Sequence, residues 1–250
     1  MRLQGKVALV TGAARGIGEG ISRVLSREGA TVFVCDLLEK EGKETVQELE
    51  SIGVKAYFFK LDVSSEESWK EAFRFVMKQA GRFDILVNNA GINIRQTIEE
   101  MEVQNLDKML AVNVKGPFLG IKHAIPLFKK GGGGSIVNTS SICGLVGHLY
   151  TNEAYTLTKG AVVQLTKSVA TRYAKFNIRC NSVAPSTVET QYNKEFLSEP
   201  QRRAERIGEI PLGRMASVED VAEAVLYLVS PEGSFINGVI LPVDGGLTAY

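Results

Sequence analysis

The chain has 250 residues, 44% hydrophobic and 23% charged, the balance of an ordinary globular protein long enough to bury a sizeable core. With 29 basic against 28 acidic residues the formal charge is +1, which removes the electrostatic case for a nucleic-acid partner. No apolar run approaches the roughly 18 residues of a membrane span and no apolar signal core follows the first residues, so a cytoplasmic protein with no membrane attachment is expected.

In chain order, residues 6–10 read as a short apolar strand suited to a sheet buried on both faces. A glycine-rich turn follows, Thr11-Gly12-Ala13-Ala14-Arg15-Gly16-Ile17-Gly18, and then a helix with Ile17, Ile21, Val24 and Leu25 at helical spacing, stopped by Gly29. A second strand, 31–35, delivers Asp36 at its carboxyl end. A polar helix over 39–51, a third strand over 56–59 reaching Asp62, a helix carrying Trp69, Ala72, Phe73 and Val76, and a fourth strand over 85–87 come next. Strands and helices alternating at these distances predict βαβ units and a parallel sheet.

Residues 106–130 read as a long helical stretch interrupted by Pro117 and Pro126, leading through four glycines, 131–134, read as a flexible surface turn, into a fifth strand over 135–138. A helix from Tyr155 to about Tyr173, a sixth strand over 178–183, and a charged, weakly periodic lid over 187–211 follow. Ser217 then caps a helix with Asp220 at its third position, and a last strand over 239–243 ends in Asp244-Gly245-Gly246. No linker divides the pattern, and one domain over residues 1–250 is expected: α/β, a single Rossmann-type doubly wound parallel sheet flanked by helices on both faces. Cys35, Cys143 and Cys180 are odd in number with no CxxC or Cys/His clustering, so neither a disulfide framework nor a metal site is expected.

Two constellations carry chemistry. The glycine turn lies between a strand and a helix, where backbone amides and the helix N-terminus face a pyrophosphate, although its GxxxGxG spacing is weak evidence by itself. Asp36, about 20 residues on, falls where a carboxylate accepts from both ribose hydroxyls; the competing reading is an exposed cap of the next helix. A carboxylate there repels a 2′-phosphate, so NAD is expected over NADP. Arg15 inside the turn pulls the other way, with no second cation beside it at Leu37. The second constellation is Tyr155 with Lys159, one turn apart on one helix face. An ammonium there stabilises the phenolate and lowers the tyrosine pKa from about 10, giving a proton donor and acceptor for alcohol–ketone interconversion. The competing reading is a tyrosine snorkelling at a surface.

In order along the chain stand Thr11-Gly12-xxx-Gly16-x-Gly18, Asp62-Val63, Asn88-Asn89-Ala90-Gly91, Asn113, Ser140-Ser141, Tyr155-xxx-Lys159, Pro185 and Asp244-Gly245-Gly246. This ordered set resembles the short-chain dehydrogenase/reductase family nearly end to end. The resemblance implies a Rossmann-type fold, a homotetramer or homodimer, and a tetrad of Asn113, Ser141, Tyr155 and Lys159. In that tetrad Tyr155 exchanges the hydroxyl proton, Lys159 bonds the nicotinamide ribose, Ser141 holds the substrate oxygen and Asn113 anchors a water. Cofactor contacts are implied at Gly12, Arg15, Gly16, Ile17, Gly18, Asp36, Asp62, Val63, Asn89, Ala90, Gly91, Tyr155, Lys159, Pro185 and Val188. Two departures stand out: Pro185 is followed by Ser186 where the family has glycine, and Ser141 precedes Tyr155 by fourteen positions, one more than in many relatives.

Substrate contacts are expected from Ser141 and Tyr155 and from Asn93, Cys143, His148 and Tyr192 as pocket lining, a lone loop histidine being more often merely solvated. The resemblance points to a small-molecule secondary alcohol or ketone, including cyclic alcohols and hydroxysteroids. Reduction of 3-oxoacyl thioesters, or sugar and polyol oxidation, is the alternative. A non-catalytic NAD(H) sensor has no need of Tyr155 with Lys159, and a Rossmann-type methyltransferase gives no account of the pair.

Overall fold

The computed structural model describes residues 1–194 and 196–249, with the backbone alone at Tyr192 and Phe196. The described residues form a seven-stranded parallel sheet with strand order β3-β2-β1-β4-β5-β6-β7. The strands are β1 (Val7–Thr11), β2 (Thr31–Asp36), β3 (Ala56–Lys60), β4 (Ile85–Asn88), β5 (Gly134–Thr139), β6 (Ile178–Pro185) and β7 (Ile240–Val243). Order reverses between β1 and β4, where Leu9 pairs with Leu86. In an open α/β sheet, a crevice forms at such a switch, beyond the carboxyl ends of the strands.

Alternation along β1 shows why a central strand is built almost wholly of apolar residues. Ala8 and Val10 pack on one face with α1 (Gly16–Arg27), α2 (Glu39–Ser51) and α8 (Val218–Val229), against Ile21, Leu25, Val221 and Val225. Val7 and Leu9 pack on the other with α3 (Glu66–Ala80), α5 (Gly116–Gly131) and α6 (Glu153–Tyr173), against Trp69, Phe73, Leu119 and Val169. Every central residue is therefore inside, whichever way it points.

Helix ends follow the capping signals. Ser65 Oγ accepts from Ser68 N to open α3, Asn152 Oδ1 accepts from Tyr155 N to open α6, and Ser217 and Asp220 form a reciprocal capping box on α8. The four-glycine run is a turn whose first half is exposed: Gly132 closes α5 in the left-handed conformation, and Gly134 starts β5 so close to Phe128 that a Cβ would lie 2.2 Å from the ring.

Two sequence expectations are corrected. The stretch expected to break at Pro117 and Pro126 breaks earlier. α4 (Val103–Leu110) passes through a π-turn, Ala111–Lys115, into α5. Pro117 sits in the first turn of α5, where no intrahelical donor is missed; Pro126 is inside the helix, and the carbonyl it frees belongs to the exposed Lys122. The segment expected to be weakly periodic, 187–211, contains a further helix, α7 (Pro200–Gly208), whose flanks form a small apolar cluster of Leu197, Ile210 and Met215. Among the described residues no helix is long and apolar enough to cross a membrane.

Candidate active site

A cleft of about 530 Å³ opens at the carboxyl edge of the sheet, over the β1/β4 switch point. Its size is that of a small-molecule site. One end is built by the glycine turn. Gly12 has φ +62°, and a Cβ on it would stand 2.8 Å from Ala90 Cα; a Cβ on Gly18 would stand 2.1 Å from the Gly12 carbonyl oxygen. Only glycine lets the turn fold this tightly against β4. Thr11 Oγ1 accepts from Asn89 N and Ala90 N, each at 3.0 Å, and Asn89 Nδ2 donates to the Thr11 and Gly12 carbonyls at 3.0 and 3.1 Å. The Asn89 side chain is thus a staple for the turn. No side chain caps α1, so its first amides keep the positive end of the helix for an anion.

Asp36 lines the same end. Its Oδ2 accepts from Ala14 N at 3.0 Å and its Oδ1 from Leu38 N at 3.1 Å, which fixes the carboxylate plane. Asp62 and Val63 line the cleft beside it, Asp62 held by Ser64 N and Ser64 Oγ at 2.9 and 2.7 Å. Arg15, Gly16, Ile17, Ala90, Gly91, Pro185 and Val188 also line it, whereas Gly18 lies beneath the turn. The glycine cradle, the uncapped helix end and a fixed carboxylate suit a dinucleotide: amides for the pyrophosphate, Asp36 for ribose hydroxyls.

At the other end Ser141, Tyr155 and Lys159 share the cleft wall. Tyr155 stands in the first turn of α6, and the Lys159 ammonium lies 5.5 Å from the centre of its ring. Lys159 is 4% exposed and donates to the Thr139 carbonyl at 2.8 Å. Burial pulls its pKa down from 10.5 to about 8, with the nearby Cys143 opposing the shift. Ser140 Oγ donates to the Lys159 carbonyl at 3.0 Å, whereas Ser141 Oγ accepts from Cys143 N at 3.3 Å and can still donate into the cleft. The two adjacent serines are separated by what they touch.

Asn113 is placed differently from its three companions. It is 1% exposed and stands behind the cleft wall: Nδ2 donates to the Ile92 carbonyl at 2.8 Å and Thr158 Oγ1 at 3.1 Å, while Oδ1 accepts from Ile92 N at 2.8 Å. Its side chain is occupied by the protein, and it sits at the centre of the π-turn, a helical irregularity that recurs at functional sites.

Of the expected pocket residues, Asn93, Cys143 and His148 line the cleft, and Asn152 Nδ2 donates to Asn93 Oδ1 at 2.6 Å. The side chain of Tyr192 lies outside the described residues. The structure adds Tyr150, Thr151, Arg95 and Arg206 to the wall. All four fall in the stretches from which the sequence predicts the pocket to form, 92–95, 142–153 and 187–211, although none of them stood out individually.

The family model described as enoyl-(acyl carrier protein) reductase matches residues 12–248. A cyclopentanol dehydrogenase of Comamonas sp. is 42% identical over 248 residues, covering 99% of this chain and 99% of that protein. A trans-4-hydroxycyclohexanecarboxylate dehydrogenase of Sinomonas cyclohexanicum is 41% identical, covering 99% and 95%. A 3-ketoacyl-(acyl-carrier-protein) reductase of Brucella melitensis, solved in complex with NADH, superposes with a TM-score of 0.92 at 35% identity, covering 98% of this chain and 99% of that one. The chain belongs to the short-chain dehydrogenase/reductase family of nicotinamide-dependent oxidoreductases and, like the dehydrogenases among these relatives, is an oxidoreductase of CH–OH groups.

Proposed function

We propose that this protein is an NAD-dependent dehydrogenase that interconverts a secondary alcohol and its ketone, with Tyr155 exchanging the hydroxyl proton. The observation that carries the reading is the placing of Tyr155, Lys159 and Ser141 on one wall of the cleft. A nicotinamide dinucleotide, when bound, supplies the hydride donor or acceptor. The glycine turn, Asp36 and the residues around Val63 and Val188 would hold it.

The chain's own groups divide the remaining work. Lys159, with a pKa of about 8, keeps its ammonium at neutral pH, where it favours the phenolate form of Tyr155. Tyr155 then takes the hydroxyl proton in oxidation and returns it in reduction. Ser141 donates a neutral hydrogen bond to the substrate oxygen. Since the Asn113 amide is already engaged, its contribution passes through the main chain of the π-turn, where the widened helix can present a carbonyl to a water near Lys159. Asp36 supports NAD, because a carboxylate fixed by two backbone amides in the cleft would repel a 2′-phosphate on the ribose. Tyr155→Phe should lower kcat at least about a thousandfold and leave NADH affinity within about threefold; retained turnover refutes the assignment.

The dehydrogenases of ring alcohols among the relatives support a secondary alcohol on a saturated ring as substrate. Reduction of 3-oxoacyl thioesters is the second reading, favoured by the ketoacyl reductase neighbour. A panel of cyclic alcohols, polyols, hydroxysteroids and hydroxyacyl thioesters, read by NAD⁺ reduction, separates the two. We also infer a homo-oligomer, supported by exposed Phe118 on α5 and Leu157 on α6. Val162 and Val169, in contrast, are buried against the sheet.

A further inference from the structure

The lid presents a charged wall that proton and hydride exchange on a neutral alcohol does not require. Arg206, on the last turn of α7, is 5% exposed and still lines the cleft. Its Nη1 donates to Glu209 Oε1 at 3.1 Å, and its guanidinium lies 4.0 Å over the Tyr150 ring. The other oxygen of Glu209 meets His148 Nε2 at 3.0 Å, while His148 Nδ1 meets Thr151 Oγ1 at 3.0 Å. One carboxylate therefore serves two bases, and it clamps the lid helix to the loop that precedes Tyr155.

Arg95 brings another cation to the same cleft from the loop after β4, its Nη2 donating to Asn193 Oδ1 at 3.3 Å. Among the described residues lining the cleft, the carboxylates are Asp36 and Asp62, both at the glycine-turn end. The Tyr155 end has Arg95 and Arg206 instead, with Glu209 paired to Arg206 behind it. A planar guanidinium held by stacking on Tyr150 and by its pairing with Glu209 is preorganised for a carboxylate.

Resting on the dehydrogenase reading above, we infer that the substrate is a small hydroxy acid or its keto counterpart. Its carboxylate lies toward Arg206 and Arg95, and its carbinol carbon lies at Tyr155 and Ser141. Glu209 is a positioning residue that sets the Arg206 fork.

The test compares 4-hydroxycyclohexanecarboxylate with cyclohexanol in the wild type, Arg206→Gln and Arg95→Gln. Wild-type kcat/KM should favour the acid by about 10- to 100-fold, the scale of hydrogen bonds to a charged group, mainly through KM. Raising ionic strength should narrow that ratio. Each variant should lower the acid-to-neutral ratio about tenfold; a ratio is insensitive to a disturbed lid, which slows both substrates. Equal efficiencies in the wild type, or a ratio that survives in both variants, overturns the inference, as does a stronger preference for acetoacetyl-coenzyme A than for any free acid. Calorimetric titration with cyclohexanecarboxylate, which has no alcohol to oxidise, reads the anion site without turnover. Binding that weakens in both variants while no alcohol is oxidised would defeat the dehydrogenase reading and leave the anion site standing. Turnover of neutral alcohols without such binding would defeat the anion site alone.

Discussion

Lys159 shows how a single side chain links stability to chemistry. Its folded pKa of about 8 lies below the 10.5 of an exposed lysine, so below pH 8 the folded state holds an ammonium it would rather release. The difference corresponds to roughly 3 kcal/mol of destabilisation at neutral pH. Between pH 8 and 10.5 the unfolded chain binds more protons, so stability from this residue rises with pH across that window. Lys159→Met should therefore be more stable than the wild type at pH 7 by about 1–2 kcal/mol, after the loss of the bond to the Thr139 carbonyl, and inactive. Urea unfolding at pH 7 and pH 10 should show the gap closing at the higher pH. Asp36 is the other residue whose charge decides an outcome. Both of its oxygens accept from backbone N–H groups, so an asparagine would set an amide donor against one of them, and serine is the cleaner replacement. Asp36→Ser should reduce the NAD-over-NADP preference in kcat/KM at least tenfold, and an unchanged preference would remove Asp36 from the ribose site.

Among the elements, α8 tests the capping argument most directly. Ser217 Oγ accepts from Asp220 N at 3.1 Å, and Asp220 Oδ2 accepts from Ser217 N at 2.8 Å. Arg214 holds the Asp220 carboxyl well below the usual carboxylate range, with Ser217 adding to the effect. Ser217→Ala should cost about 1 kcal/mol in chemical denaturation, with activity unchanged at saturating cofactor. This element was legible in sequence because its signals are local: a cap, an acid at the third position and an apolar face at helical spacing. The strands were legible for a similar reason, since burial on both faces leaves short apolar runs between turns. The π-turn at Ala111–Lys115 was not, because one extra residue in a helix leaves no composition cue and the buried Asn113 that it presents bonds to Ile92, 21 positions away. The Arg206–Glu209–His148 clamp was equally hidden: it joins segments 61 positions apart, and α7 is mostly polar, so periodicity gave no sign of it. Local chemistry showed the glycine turn and the Tyr155/Lys159 pair, whereas the cleft wall around Arg206 depends on tertiary contacts.

The whole molecule joins two apolar layers through one sheet, and the cleft is where its separate pieces converge. The glycine turn belongs to β1 and α1, Asp36 to β2, Asn89 to the end of β4, Ser141 to the end of β5, and Pro185 and Val188 to the end of β6 and the lid. A ligand spanning that edge touches most of the β-strands and binds only when all are in place, so its binding energy adds to the free energy of global unfolding. At a concentration 100 times its Kd a cofactor contributes about 2.7 kcal/mol, which for a chain of this size raises the melting temperature by roughly 5–10 °C. NADH should produce that shift by scanning calorimetry, and NADPH at equal concentration a smaller one if Asp36 faces the ribose. Asp36→Ser should bring the two shifts together. Tyr155→Phe should keep the NADH shift nearly intact, because the lost hydroxyl serves the proton step and not the grip on the dinucleotide. A protein whose melting temperature ignores both cofactors would have no dinucleotide at this edge, and the roles given to Asp36 and the glycine turn would fall together.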